Sequence, residues 1–136
     1  MIERTSSARW QGTLHEGKGS MGLASGYEGP FTFLSRFESG PGTNPEELLA
    51  AALAGCFSMA LAAGLEKAGH PASQVDTDCT VTFDAGIRAF ALRCRATVPG
   101  IDRDAFTRLA EETRHGCHVA KALSAVEITL EASLAG

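Results

Sequence analysis

The sequence carries no surplus of basic residues. Twelve Lys and Arg stand against sixteen Asp and Glu, a net charge of −4, which removes the electrostatic footprint of nucleic-acid binding. The first residues, Met1-Ile2-Glu3-Arg4 leading into Thr5-Ser6-Ser7, hold no apolar run of the kind a secretory signal requires. A cytoplasmic, reducing location is therefore the expectation. There is no internal repeat, no linker and no low-complexity tract, and 136 residues fit one domain, 1–136, with enough chain to bury a core. Charged residues make up 21% and hydrophobic ones 44%, the balance of a globular chain rather than a disordered one. The four cysteines include no Cys-x-x-Cys pair. In a reducing compartment they are expected to be free, catalytic or metal-binding rather than structural disulfides.

One stretch organises what is there. From Asn44 to about Gly69 the chain reads as a single long helix. Asn44 is a good N-cap, Pro45 suits the first helical position, and Glu46 and Glu47 favour the positive end of the helix dipole. From Leu48 to Leu65 nearly every residue is apolar or small. A helix apolar almost all round is expected to be buried, and this one is too short and too charged at its ends for a membrane span. Gly69 is its stop.

Before the helix, residues 7–14 read as a strand, Glu16 to Gly19 as a turn and Ser20 to Ala24 as the returning strand. Gly26 to Pro30 breaks the pattern, and Phe31-Thr32-Phe33-Leu34 reads as a third strand or its approach. After the helix, Val75, Thr77, Cys79, Val81 and Phe83 share one strand face, with a turn at Asp84-Ala85-Gly86. Phe90, Leu92, Cys94, Ala96 and Val98 share the inner face of the next strand. Asp102 caps a second helix ending near His115-Gly116, Cys117 opens a further helical turn, and Val126 to Leu134 alternate as a final strand. The order β-β-β-α-β-β-α-β predicts an α+β fold with a mainly antiparallel sheet and a long central buried helix.

The cysteines are not equivalent. Cys79 and Cys94 lie on apolar strand faces, where free Cys packs as a small hydrophobe. Cys56 follows Gly55 in a helix that needs no thiol for packing. Cys117 follows Gly116 at the start of a helical turn, a setting whose amides favour a thiolate. A two-cysteine redox pair, two further core thiols, or a metal site drawn from Cys56, Cys117, His115 and His118 are the readings open at this level. His15, His70, His115 and His118 otherwise read as surface residues. Arg36, between Leu34 and Phe37, lies close to apolar sequence and needs a carboxylate partner, Glu38 or another.

Four segments carry a resemblance over essentially the whole chain. They are Ser35-Arg36-Phe37-Glu38, then Gly42-Thr43-Asn44-Pro45-Glu46-Glu47-Leu48, then Ala54-Gly55-Cys56-Phe57-Ser58-Met59-Ala60-Leu61, and Gly116-Cys117-x-Val119-x-Lys121-Ala122-Leu123. The chain resembles the OsmC/Ohr family, the osmotically inducible protein C and organic hydroperoxide resistance proteins of bacteria. It is nearer the OsmC branch on Arg9-Trp10-x-Gly12 and on the Cys56 segment. The resemblance implies a thiol peroxidase of oxidative stress that reduces organic hydroperoxides as an intertwined homodimer, its active sites at the interface. By the same resemblance Cys56 is the peroxidatic cysteine, Cys117 the resolving one, Arg36 the partner of the thiolate, and Glu46 the carboxylate that holds Arg36. The family usually has Pro after the second cysteine; here it is His118, which restores an N–H and adds a titratable group.

In that reading the Cys56 thiolate attacks a peroxide oxygen, Arg36 stabilises the charge, and Cys117 closes a disulfide. An external dithiol, in the family a lipoyl group on a protein, reopens it, and no metal, haem or flavin cofactor is required. Phe31, Phe33, Phe37, Leu53 and Phe57 are the expected apolar surroundings for an alkyl hydroperoxide. The competing expectations are a non-catalytic ligand-binding or stress protein of the same fold, and a metal-binding protein.

Overall fold

A computed structural model describes residues 1–135. The chain forms two compact units, Met1–Leu48 and Leu49–Gly136.

In the first unit, β1 (Ser6–Gln11), β2 (Lys18–Leu23) and β3 (Glu28–Phe31) make an antiparallel sheet in the order β1-β2-β3. The register sets Trp10 opposite Gly19, and Gly19 opposite Phe31. The expected third strand is displaced. Strand β3 ends at Phe31, and the residues read as its continuation form a helical turn, α1 (Phe33–Phe37). The cause is a reciprocal cap. The Thr32 hydroxyl accepts from the Ser35 amide at 3.1 Å, and the Ser35 hydroxyl accepts from the Thr32 amide at 2.9 Å, which starts a helix despite the β-forming phenylalanines. Pro30 is tolerated in β3 because β3 is an edge strand.

Helix α2 (Pro45–Lys67) begins where the sequence places it. The Asn44 side chain accepts from the Glu47 amide at 2.7 Å and donates to the Ser35 carbonyl at 3.0 Å. At the other end Gly69 adopts φ +89°, a conformation that favours glycine.

In the second unit, β4 (Gln74–Phe83) and β5 (Ile87–Thr97) form an antiparallel hairpin about residues 84–86. Helix α3 (Arg103–Gly116), capped by Asp102, and α4 (His118–Ala122) follow, and β6 (Glu127–Leu134) returns beside β5. The expected sheet is thus two three-stranded sheets, and β6 runs parallel to β5. A parallel return needs a crossover of a dozen residues or more, which α3 and α4 supply.

The core of this unit is a seam of α2, Leu53, Phe57, Leu61 and Leu65, at four-residue spacing. It packs with Phe90, Leu92, Cys94 and Ala96 of β5 and with Phe106 and Ala110 of α3. Each such Leu or Phe contributes about 1.5–3 kcal/mol by leaving water. The expectation of a helix buried on all sides holds along this seam alone within one chain. Ala51, Ala52, Gly55, Met59 and Ala63 are exposed, and Met59 retains 80% of its surface. Contrary to the expectation from sequence, α2 at 23 residues is long and apolar enough to cross a membrane by length and composition alone, but its seam is the core of this unit.

Candidate active site

The sequence-predicted residues fall into two pairs, one in each unit. Cys56 and Cys117 make the first. Cys56 is half-buried on α2 and packs against the core that includes Cys117. Cys117 is 3% exposed and occupies the joint between two helices: its backbone N–H donates to the Thr113 carbonyl at 3.1 Å at the end of α3, and it is the N-cap residue of α4. Both thiols are free, and Cys56 is near enough to act on the Cys117 thiol. Burial pushes the Cys117 thiol up. The amides of Ala120 and Val119 pull it down, and the neighbouring Cys56 pushes it up again. The start of a helical turn was expected to favour the thiolate. Its amides do act in that direction, but desolvation outweighs them.

Arg36 and Glu46 make the second pair. Arg36 Nε donates to Glu46 Oε1 at 3.0 Å and Nη2 donates to Oε2 at 2.7 Å, the planar two-bond geometry available only to arginine. Arg36 lies on α1 and Glu46 in the first turn of α2. The partner is therefore Glu46, as the resemblance implies, rather than Glu38. The carboxylate is 7% exposed and the guanidinium 37%. Burial alone pushes Glu46 up, yet the hydrogen bonds and charge of Arg36 hold it below the usual carboxylate range. The same hydrogen bonds raise Arg36, which stays charged. The guanidinium also sits 4.9 Å from the centre of the Phe37 ring.

Arg36 forms part of the wall of an open, mainly apolar pocket of about 260 Å³ within the first unit, lined also by Trp10, Leu14, Phe31, Thr32, Phe33 and Phe37. Phe31, Phe33 and Phe37 are where the sequence reading put them. Leu53 and Phe57 do not line it: both are 0% exposed in the core of the second unit, where they belong to the four-residue seam of α2. Trp10 and Leu14 were missed as lining. Only the pairing of Trp10 with Gly19 and Phe31 across three strands reveals the tryptophan's place, and no local pattern encodes it.

The other cysteines face inward, as expected. Burial pushes the Cys79 thiol up to about 11. Burial also raises Cys94, against the pull of the Thr77 hydroxyl, which itself accepts from Ser58 at 2.7 Å. His115 and His118 are exposed, and among the described residues no group of three His, Cys, Asp or Glu side chains converges as metal ligands. His15 is more than a solvated residue, since its ring lies 4.3 Å from that of Phe33.

Two free neighbouring thiols, one from the middle of a long helix and one from the joint of two others, suit a thiol redox protein. The family model for OsmC-like protein matches residues 38–131. Peroxiredoxin OsmC of Escherichia coli (strain K12) is 41% identical over 140 residues, covering 98% of this chain and 97% of the relative. Two solved structures share the fold. An OsmC-like protein from Mycoplasma pneumoniae matches with a TM-score of 0.78 at 13% identity, covering 99% of each chain. The organic hydroperoxide resistance protein OsmC from Legionella pneumophila matches with a TM-score of 0.68 at 19% identity, covering 100% of each. The chain belongs to the OsmC family.

Proposed function

We propose that this peroxidase of the OsmC family reduces organic hydroperoxides to alcohols, with Cys56 attacking and Cys117 resolving, and that it works in the cytoplasm as one OsmC-like domain, 1–136. The assignment of roles is supported by the nearness of the Cys56 and Cys117 thiols, two free cysteines brought together from separate helices. The Cys56 thiolate attacks the terminal oxygen of ROOH, the O–O bond breaks, and the alkoxide leaves as ROH after taking a proton. Cys56 becomes a sulfenic acid. Cys117, as thiolate, attacks that sulfur, water departs, and the disulfide forms. An external dithiol such as dihydrolipoamide, carried on a lipoylated protein, then reduces the disulfide to two thiols and is itself oxidised to a cyclic disulfide.

Arg36 stabilises the attacking thiolate and the charge that develops on the leaving oxygen, and Glu46 holds its fork in place. Glu46 and Cys56 are ten residues apart in α2, about 15 Å along a helix axis, more than one arginine side chain spans. We therefore assign the completion of the site to a homodimer, in which Arg36 and Glu46 of one subunit meet Cys56 and Cys117 of the other. The open, apolar stripe of Ala51, Gly55, Met59 and Ala63 on α2 supports this. A mid-helix glycine such as Gly55 costs about 1 kcal/mol relative to Ala, and among the described residues nothing beyond its own stretch of helix lies within 4 Å of a Cβ built on it; a second copy of the helix gives both features a purpose.

Turnover of cumene hydroperoxide against hydrogen peroxide, with dihydrolipoamide as reductant, tests the reading. The expected result is a kcat/KM well in favour of cumene hydroperoxide. Equal or inverted preference would remove the substrate class.

A further inference from the structure

Trp10 is the only tryptophan in the chain, and no role in the chemistry above falls to it. Its indole is fixed from three sides. The Nε1–H donates to the Gly12 carbonyl at 3.0 Å. The ring lies against bare backbone at two glycines: a Cβ built on Gly17 would stand 3.0 Å from Cζ2, and one built on Gly19 would stand 2.6 Å from Cε3. The Phe31 ring leans over Gly19 from the other strand, its Cε1 2.7 Å from the same built Cβ. The two ring centres are 5.4 Å apart. Gly19 is thus the seat on which both rings rest, and any side chain there must displace them. With Leu14 and Thr32, these rings and Phe33 and Phe37 line an open groove of about 260 Å³ that Arg36 borders, in which Trp10 itself is 38% exposed. At about 30 Å³ for each water-sized group, that is room for roughly nine heavy atoms, the size of a phenylpropyl or octyl group.

We infer that Trp10, seated on Gly19, sets the size of the hydrocarbon group that the enzyme accepts beside Arg36. The occupant is the R group of the hydroperoxide, because the groove joins a mainly apolar lining, broken by Thr32, to one guanidinium, the combination that suits an apolar chain ending in a polar oxygen pair. The inference rests on the proposed peroxidase reading for its substrate, but occupancy of the cavity is measurable without turnover.

Two experiments test it. In the first, the reduced wild-type protein is titrated with cumyl alcohol, the product of cumene hydroperoxide, while Trp10 emission is followed. A saturable change is expected. Emission that responds to dilution of the protein but not to cumyl alcohol would assign the cavity to a partner subunit and overturn the inference. In the second, kcat/KM is measured for dodecyl, cumene and tert-butyl hydroperoxides. Trp10→Ala should raise the ratio of a longer substrate, such as a dodecyl hydroperoxide, to tert-butyl hydroperoxide by about tenfold or more, the scale on which apolar pockets sense methylene groups. Trp10→Phe should give an intermediate ratio and guards against loss of fold in the alanine variant. Gly19→Ala should lower the cumene to tert-butyl ratio. Unchanged ratios in all three variants would overturn the role of Trp10. A wild-type protein that binds cumyl alcohol but turns over no hydroperoxide would instead overturn the peroxidase substrate reading and leave the cavity assignment standing.

Discussion

Arg36 and Glu46 are joined by two parallel N–H···O bonds of 3.0 and 2.7 Å, with the carboxylate buried and the guanidinium partly open. The asymmetry means that the pair holds the arginine's orientation while leaving part of its fork available to a second anion. Arg36→Met keeps the volume but loses the charge and the fork. The first oxidation of Cys56, followed by stopped-flow with one equivalent of cumene hydroperoxide, should slow by orders of magnitude, and Arg36→Lys should restore only part of the rate. Stability should fall by about 1–3 kcal/mol, because Glu46 is left buried without its partner, and the partial exposure of Arg36 keeps the loss toward the lower figure. An unchanged oxidation rate in Arg36→Met would remove Arg36 from the chemistry.

The same pair predicts an acid limit. Arg36 holds the folded-state pKa of Glu46 below the usual carboxylate range. A depressed folded pKa contributes stability that is complete above the unfolded value and is lost as pH falls through the folded one. Denaturant midpoints of the wild type should therefore decline below the ordinary carboxylate range. Glu46→Gln should show a lower plateau at neutral pH and a shallower acid decline. Parallel acid declines in the two proteins would mean that the coupling between Arg36 and Glu46 is not the source.

Cys79 is expected to be inert at neutral pH, since burial pushes its thiol up to about 11. Brief alkylation of the native, reduced protein at neutral pH, followed by peptide mapping, should modify Cys56 and leave Cys79 and Cys94 free until the chain is unfolded. Cys79→Ser and Cys94→Ser should turn over hydroperoxide normally. Their cost should be confined to stability, since a hydroxyl replaces a buried, weakly polar thiol. Loss of turnover in either would mean that a third cysteine enters the cycle.

The elements whose signals are local were legible in the sequence. Asn44 and Asp102 cap the helices they were expected to cap, and the inward faces of β4 and β5 follow the alternation from Val75 to Val98. Where two local signals compete, the sequence misled: Phe31 to Leu34 has strand composition, but the Thr32 and Ser35 side chains turn it into a helix start. Burial of α2 was misjudged for another reason. Apolar composition on every side states how much surface seeks cover, not whether one chain supplies it. The parallel β6 and the pairing of Trp10 with Phe31 depend on chain topology. The identity of Glu46 as the partner of Arg36 came from family resemblance, because nothing in the spacing distinguishes it from Glu38.

Completion of the site across two chains has a direct genetic test. A Cys56→Ser chain and an Arg36→Ala chain are each expected to be inactive. Refolded together, their heterodimer pairs the intact Arg36 of one with the intact Cys56 of the other and should regain one working site of two. With heterodimers confirmed by native mass spectrometry, an absence of recovered activity would mean that Arg36 and Cys56 act within a single chain.

Intact mass combined with peptide mapping determines whether Cys56 and Cys117 form the redox pair. One equivalent of cumene hydroperoxide added to the reduced protein should remove two hydrogens per chain, map to a Cys56–Cys117 disulfide, and be reversed by dihydrolipoamide. Cys117→Ser should instead gain one oxygen at Cys56, persist without turnover, and progress to higher oxides with excess peroxide. A disulfide involving Cys79 or Cys94, or normal turnover by Cys117→Ser, would contradict the account.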